Sequence, residues 1–418
     1  MARGYNRLPL AAALLATATS ASAAGGIVAG DWTLDIGGNV NAFYINNHST
    51  GTNTVTGGLA NGAAANGNNT SSINTGLLPS WLGVTGKTRQ NDLDVEFAIS
   101  FQPGASTTHA LASGGGTENR QAYISFGDKS WGTILIGKNL GEFGRDAILN
   151  DITLLGVGSQ GLVGTAVGTT TTLGGIGAGY LYADFNGQIN YTTPNFNGFQ
   201  AVVGIEQPLV TLNTDPYVAA VNANPSTYTL ASAASGASLN ATGAQTSPGF
   251  LAKGSYTFTG DVAGKVWAEV KTQNVDFSAT KSDQATAYGI GATATMAGFG
   301  LTGYYYDGKG VGTTAFLMDG TAANGNQRDS NGGYVQLTYV LPTTTKIGVN
   351  YGTSRLDLAS GEVAGTLVKE NEKWTVGAYH PLTKHLNLVA EYSNVKSTNQ
   401  LNAENKSDII TAGAILFF

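Results

Sequence analysis

From residue 32 to the end, the chain repeats one unit: alternating apolar and polar residues, closed by a gap that is by turns long and short. The clearest unit is Leu93 to Gln102, where Leu93, Val95, Phe97, Ile99 and Phe101 interleave with Asp94, Glu96, Ala98, Ser100 and Gln102. Period-two alternation gives a strand one greasy face and one polar face, whereas a helix would scatter both sets around its axis. A pass along the chain gives sixteen such strands, at about 32–45, 80–88, 92–102, 119–127, 131–139, 187–193, 199–207, 249–259, 262–273, 284–296, 298–307, 331–340, 343–353, 371–380, 385–396 and 406–418. The gaps after odd-numbered strands are long: 46–79, 103–118, 140–186, 208–248, 274–283, 308–330, 354–370 and 397–405. Those after even-numbered strands are short, from Ala297 alone to the run Pro194 to Gly198.

Hairpins alternate sides of a sheet. Every long gap therefore falls on one side and every short gap, with both termini, on the other. Long outer loops and short inner turns are the loop pattern of membrane barrels. A strand edge left open in lipid would strand backbone groups without partners, so the sheet must close. The fold class expected is all-β: a 16-stranded antiparallel transmembrane β-barrel, wide enough for an aqueous lumen. Trp32, Phe258, Trp374, Tyr392 and Phe418 lie near strand ends, where amphipathic rings suit the headgroup level.

Composition fits that frame. Only 11% of the chain is charged and mean hydropathy is −0.03. Past the first thirty residues no apolar run reaches the roughly 18 residues of a membrane helix. In a barrel only every second residue meets lipid. Net charge is −6 with no basic stripe, so nucleic acid is not an expected partner. Cysteine is absent, which excludes disulfides, thiolate nucleophiles and thiolate metal sites.

At the N-terminus Arg3 and Arg7 precede an apolar stretch, Leu8 to Ala18, and then the small residues Ala21-Ser22-Ala23. That order is an export signal, residues 1–23, with cleavage expected after Ala23 and the mature barrel over 24–418.

If the apolar faces meet lipid, parity turns Lys87, Arg89, Asp94, Glu96, Lys253, Lys265, Glu269, Lys271, Lys346 and Glu391 toward the lumen. Arg120 and Lys138 have lipid-side parity at the outer strand ends. Two placements are open to them: snorkelling at the interface, or turning inward through a bulge. Other chemistry is missing. His48, His109, His380 and His385 gather no acids around them, so no metal is expected. No nucleophile elbow or phosphate-binding glycine loop occurs, so neither a cofactor nor catalysis is expected.

Three segments resemble the trimeric general porins of β-proteobacteria and Neisseria. Ser80-Trp81-Leu82-Gly83-Val84-Thr85-Gly86 resembles their S-R-W-G-L-K-G run. Arg120-Gln121-Ala122-Tyr123-Ile124 followed by Trp131-Gly132-Thr133-Ile134-Leu135-Ile136-Gly137-Lys138 resembles R-Q-A-Y-V…F-G-T-V-T-L-G-R. The end, from Ile410 through Leu416 to Phe418, resembles the signal read by the barrel-insertion machinery. The chain departs at Trp81, at Lys138 (for arginine) and at Leu416 (for an aromatic).

The resemblance implies an outer-membrane homotrimer of a Gram-negative bacterium, passing ions and small hydrophilic solutes. It also implies a third outer loop, about 139–186, folded inward as a constriction. Glu142, Arg145, Asp146 and Asp151 open that loop, and Glu142, Asp146 and Asp151 are expected to face basic wall groups. Glu96, Lys138, Lys253, Lys265, Lys87 and Arg89 complete the expected lumen set. A solute-selective channel is a second reading, and a secreted all-β adhesin or other binding protein a third. The adhesin has no reason to sort long and short loops.

Overall fold

Strands with one apolar face persist in lipid only when both edges are paired. The computed structural model describes residues 26–60, 62, 68–106, 117–161, 171–214, 229–231, 238–240, 245–278 and 281–418. Sixteen long strands satisfy the pairing condition. They are β1 (Trp32–Thr50), β2 (Trp81–Gln90), β3 (Leu93–Pro103), β4 (Thr117–Asp128), β5 (Gly132–Leu140), β6 (Phe185–Thr192), β7 (Phe199–Glu206) and β8 (Gly249–Phe258). After them come β9 (Ala263–Ser278), β10 (Lys281–Met296), β11 (Phe299–Lys309), β12 (Asp329–Val340), β13 (Lys346–Leu356), β14 (Val368–Pro381), β15 (Leu386–Asn399) and β16 (Glu404–Phe417).

Each strand pairs antiparallel with the next, and β16 returns to β1, with Phe417 opposite Asn39 and Lys406 opposite Thr50. Gly38 and Phe418 exchange backbone hydrogen bonds of 3.0 Å at this seam. The result is a closed barrel. Two short strands extend it, Ile27–Ala29 and Asn69–Asn74, the latter covering the outer half of β1 beyond the reach of β2. Inner turns are tight. Asn91 and Asp92 take φ of 50° and 63°, and Ala297 and Gly298 take 48° and 87°, the left-handed pairs that two-residue hairpins require.

All sixteen expected strands are present in the expected order. The expected signal segment 1–23 and His109 lie outside the described residues. Outer strand ends run further than expected: β9 continues to Ser278 and β10 starts at Lys281, where the sequence pattern predicts a gap at 274–283. The reason is an inversion of parity above the membrane. There the outward face meets water, with Asn274 and Asp276. The inward face carries Val275, Ala285 and Ala287, all buried beneath loops.

In the membrane zone the outward face is apolar, with Val40, Leu82, Ile99, Ile136, Phe250, Ile290, Leu337 and Val376 all exposed. Aromatic pairs rim it. Phe199 lies 4.4 Å from Tyr256, Phe299 4.4 Å from Tyr339, and Trp374 5.2 Å from Tyr392. The core lies inside the barrel, where Leu140, Phe143, Ala147, Ile148 and Leu317 pack against inward-facing Trp267, Tyr304 and Tyr334.

Val335→Arg, on the lipid face at the middle of β12, is expected to destabilise the barrel by ~2–4 kcal/mol, the cost of a cation near the bilayer midplane. Ser125→Arg, inward-facing and partly exposed, is expected to leave stability within ~0.5 kcal/mol. Denaturant titration in lipid vesicles separates the two.

Candidate functional site

A sixteen-stranded lumen is too wide for wall side chains to fill, so its cross-section depends on what folds into it. The third outer loop, 141–184, does so. Its neck is closed by the Gly141 amide donating to the Asp184 carbonyl at 2.7 Å. Gly144, at φ 76°, starts a short helix, α1 (Arg145–Asn150). A side chain at Gly144 would be strained by this φ and would meet the Leu181 carbonyl at 2.6 Å. α1 is followed by a 3-10 turn, Ile152–Leu155.

The wall receives the loop at named sockets. The Gly144 amide donates to Glu269 Oε1 at 2.9 Å, and Tyr304 donates to the same oxygen at 2.8 Å. Tyr334 donates to the Ala147 carbonyl at 2.8 Å. Gln336 takes the Ile152 amide at 2.6 Å and gives to the Asn150 carbonyl at 2.9 Å. Glu391 accepts the amides of Val157 and Gly158 at 2.8 and 3.0 Å, and the Tyr379 hydroxyl at 2.6 Å. Ser354 accepts the Gly179 amide at 2.9 Å. Strands β9, β12, β13 and β15 thus each hold part of the loop through side chains that bond to its backbone.

Charge adds to this. Glu142 meets Lys253 at 2.5 Å and Arg145 at 2.5 Å; Asp146 meets Lys253 at 3.1 Å and Lys265 at 2.5 Å. Burial alone would raise both carboxyls. The Arg145 and Lys253 charges hold Glu142 below its ordinary value, and Lys253 with Lys265 does the same for Asp146. Both are therefore ionised at neutral pH.

The expected site residues are distributed as follows. Glu142 and Asp146 do meet basic wall groups, but by direct contact. Asp151 does not face the wall. It accepts from the Thr153 and Gly175 amides at 2.9 Å each and from the Tyr180 hydroxyl at 2.7 Å, so its acceptor capacity is spent inside the loop. Lys138 is also corrected. Its register partner is Ala122 on the lipid side, it is exposed, and its ammonium donates to the Asn119 carbonyl at 2.7 Å. It snorkels at the outer rim and is not a lumen group.

Arg120 turns inward. The register of β3 and β4 shifts between Ser100 and Gln102, so two residues of β4 stand opposite Phe101. This bulge buries Arg120 against Glu118 at 2.8 Å, with its guanidinium 5.4 Å from the Phe185 ring centre. Lys87, Arg89 and Glu96 keep inward parity near the inner rim: Lys87 lies 3.4 Å from Glu96, and Arg89 pairs with Asp94 and Asp128. The socket residues Gln336, Tyr334 and Ser354 were not anticipated. A lone Gln or Ser on an inward face gives no sequence signal of what covers it.

The inner wall is unequally covered. On β9–β16, Trp267, Glu269, Tyr304, Gln336, Asn350, Thr375, Glu391 and Thr411 are buried. On β2–β5, Thr85, Glu96, Gln121, Tyr123, Ser125 and Leu135 remain partly exposed and Thr133 is exposed. From the loop, Arg145 keeps its side chain 23% exposed while pairing with Glu142. Tyr123 donates to Glu96 at 3.0 Å.

Lys253→Met removes a cation from two buried carboxylates and is expected to cost ~3–5 kcal/mol, read by denaturant titration of the folded barrel. The loop is also expected to hold in acid. Both carboxyls titrate below their ordinary values of 4.5 and 3.8, so their contribution is complete above that range and lost only as pH falls through the lower, folded values. Proteolysis of the third loop is expected to rise as pH falls below about pH 4, and Glu142→Gln is expected to blunt that rise.

The sequence profile of the family described as Gram-negative porin matches residues 10–400. No curated protein sequence matches the chain. Among solved structures, the outer membrane channel DcaP of Acinetobacter baumannii superposes with a TM-score of 0.66 at 16% identity, over 94% of this chain and 100% of that one. OmpT of Vibrio cholerae, as expressed in the outer membrane, gives 0.53 at 14% identity, over 94% and 99%. OmpF of Salmonella typhi, in complex with daunomycin, gives 0.53 at 13%, over 93% and 99%. With a closed sixteen-stranded barrel, an apolar outer belt and a family match over most of its length, the chain belongs to the Gram-negative porins, outer-membrane channels for passive diffusion of solutes.

Proposed function

We propose that this porin passes ions and small hydrophilic solutes along a single strip of its inner wall, β2–β5, with the third loop as the constriction. The unequal exposure of the inner wall supports this reading: Trp267, Glu269, Tyr304, Gln336, Thr375 and Glu391 on the far wall are buried, with Lys265, Thr293 and Thr295 partly exposed near its inner rim, whereas Thr85, Glu96, Gln121, Tyr123, Ser125, Thr133 and Leu135 on β2–β5 stay accessible. Arg145 faces this path from the loop, and Glu96, Lys87 and Tyr123 face it from the wall. Glu142 and Asp146 hold the loop to Lys253 and Lys265, so their charge is largely spent and the loop's net contribution to the path is Arg145. Mixed charges of this kind orient polar solutes and set ion preference.

The working form is a homotrimer, a reading supported by the trimer form described for OmpT of Vibrio cholerae, which shares the fold. Residues 1–23 act as the export signal. The last strand, with Ile410, Leu416 and Phe418 outward and exposed, is the segment presented to the insertion machinery. Outer-membrane lipids cover the apolar belt.

In planar bilayers under a salt gradient, the refolded protein is expected to insert in steps of stable conductance. Arg145→Glu is expected to move the reversal potential toward cation preference. Folded β-protein without conductance would refute the channel, and an unmoved reversal potential in Arg145→Glu would remove that residue from the path.

A further inference from the structure

Outer loops of a barrel ordinarily run through water, yet the sixth one does not. In residues 310–328, between β11 and β12, every residue from Gly310 to Ala322 except Ala315 is buried. Its apolar tip explains where it goes. Val311, Phe316 and Leu317 pack into the same cluster as Phe143 and Leu181 of the third loop and Trp267, Val275, Ala287 and Tyr306 of the wall. The Lys271 ammonium, paired with Glu206, lies 4.5 Å from the Phe316 ring centre.

Backbone contacts lock the tip in place. The Tyr182 amide of the third loop donates to the Thr314 carbonyl at 2.8 Å. The Asp319 amide donates to the Leu212 carbonyl of the fourth loop at 2.6 Å, and the Thr214 amide and hydroxyl each donate to the Asp319 carboxylate at 2.7 Å. Leu317 and Asp319 sit at φ 68° and 58°, conformations that side-chain-bearing residues hold only when their surroundings impose them.

The base of the loop is clasped. Arg328 is fully buried and donates to the Asp319 and Thr321 carbonyls at 2.7 and 3.3 Å. It also pairs two-pronged with Glu362 of the seventh loop, which accepts the Ala359 amide at 2.8 Å. A fully desolvated guanidinium with this many fixed acceptors defines one loop conformation rather than many.

We propose that the sixth loop is a second size-determining element of the pore. Wedged between the third loop and the β9–β11 wall and clasped by Arg328–Glu362, it fixes how far the third loop stands from the open β2–β5 strip. The inference rests on the channel reading above and adds a loop to it. Two variants test it. Leu317→Asp places a carboxylate in the apolar cluster and expels the tip; Glu362→Gln weakens the clasp without touching the cluster. Trimer formation and heat-modifiable gel mobility report that the barrel is folded. Single-channel conductance and liposome swelling with sugars of increasing mass report the pore. The expected result is a conductance increase of about 1.5- to 2-fold and a shallower fall of swelling rate with sugar mass, larger for Leu317→Asp. Should Leu317→Asp not fold, Glu362→Gln alone decides. Folded variants that match a conducting wild type overturn the role of this loop and leave the channel standing. A wild type with no conductance overturns both.

Discussion

Hydrocarbon offers a backbone amide no hydrogen-bond partner, and each of the sixteen strands meets that constraint by pairing with both neighbours, the last with the first. The remaining features follow from that closure. A sheet of this strand number encloses more volume than its own side chains fill. Filling it falls to the loops, and the third and sixth enter the lumen while the first, fourth and seventh tie onto them. The hydrophobic core of the protein is therefore inside the barrel and made jointly by loops and inward-facing strand residues.

Loops entering a barrel bring unpaired backbone groups into a dry space, where each would be costly to leave unsatisfied. The wall answers with acceptors. Glu269 and Glu391 receive loop amides at 2.8 to 3.0 Å, and Gln336 and Ser354 serve the same purpose without charge. The lysines Lys253 and Lys265 answer the loop carboxylates. Inward-facing charge on this side of the barrel is thus mainly structural. On the channel reading proposed above, the charges that act on solutes are the exposed ones of the uncovered strip and the net positive charge left at Arg145.

Much of this was legible from the chain alone, because lipid imposes a strict rule on every second residue. Leu93 to Gln102 reads as a strand whatever surrounds it, and the long and short gaps sort the two ends of the barrel. The inner face obeys no such rule. Glu96 and Glu391 are both inward glutamates on strands, yet one stays partly exposed and the other is buried under loop amides. Only the fold of a distant loop separates them. Asp151 looked like its neighbours Glu142 and Asp146, but it sits one helix turn further on, where the chain bends back and its own backbone takes the carboxylate. Arg120 and Lys138 shared one parity and went opposite ways, because a single extra residue opposite Phe101 rotated the first and not the second. The sixth loop does carry a sequence signal: Phe316-Leu317-Met318 is an apolar run in a segment between two strands, where a loop ordinarily meets water.

The central claim is that solutes pass along β2–β5 while the opposite wall is closed. The chain contains no cysteine, so single substitutions give a clean test. Ser125→Cys and Thr375→Cys both place a thiol on the inner wall, on opposite sides of the barrel, and a charged, membrane-impermeant thiol reagent can be added to the open channel. The account requires Ser125→Cys to react and its current to fall, with Thr375→Cys left unmodified. Equal reaction at Thr375→Cys would mean that the covered wall is open to water and that the path lies elsewhere.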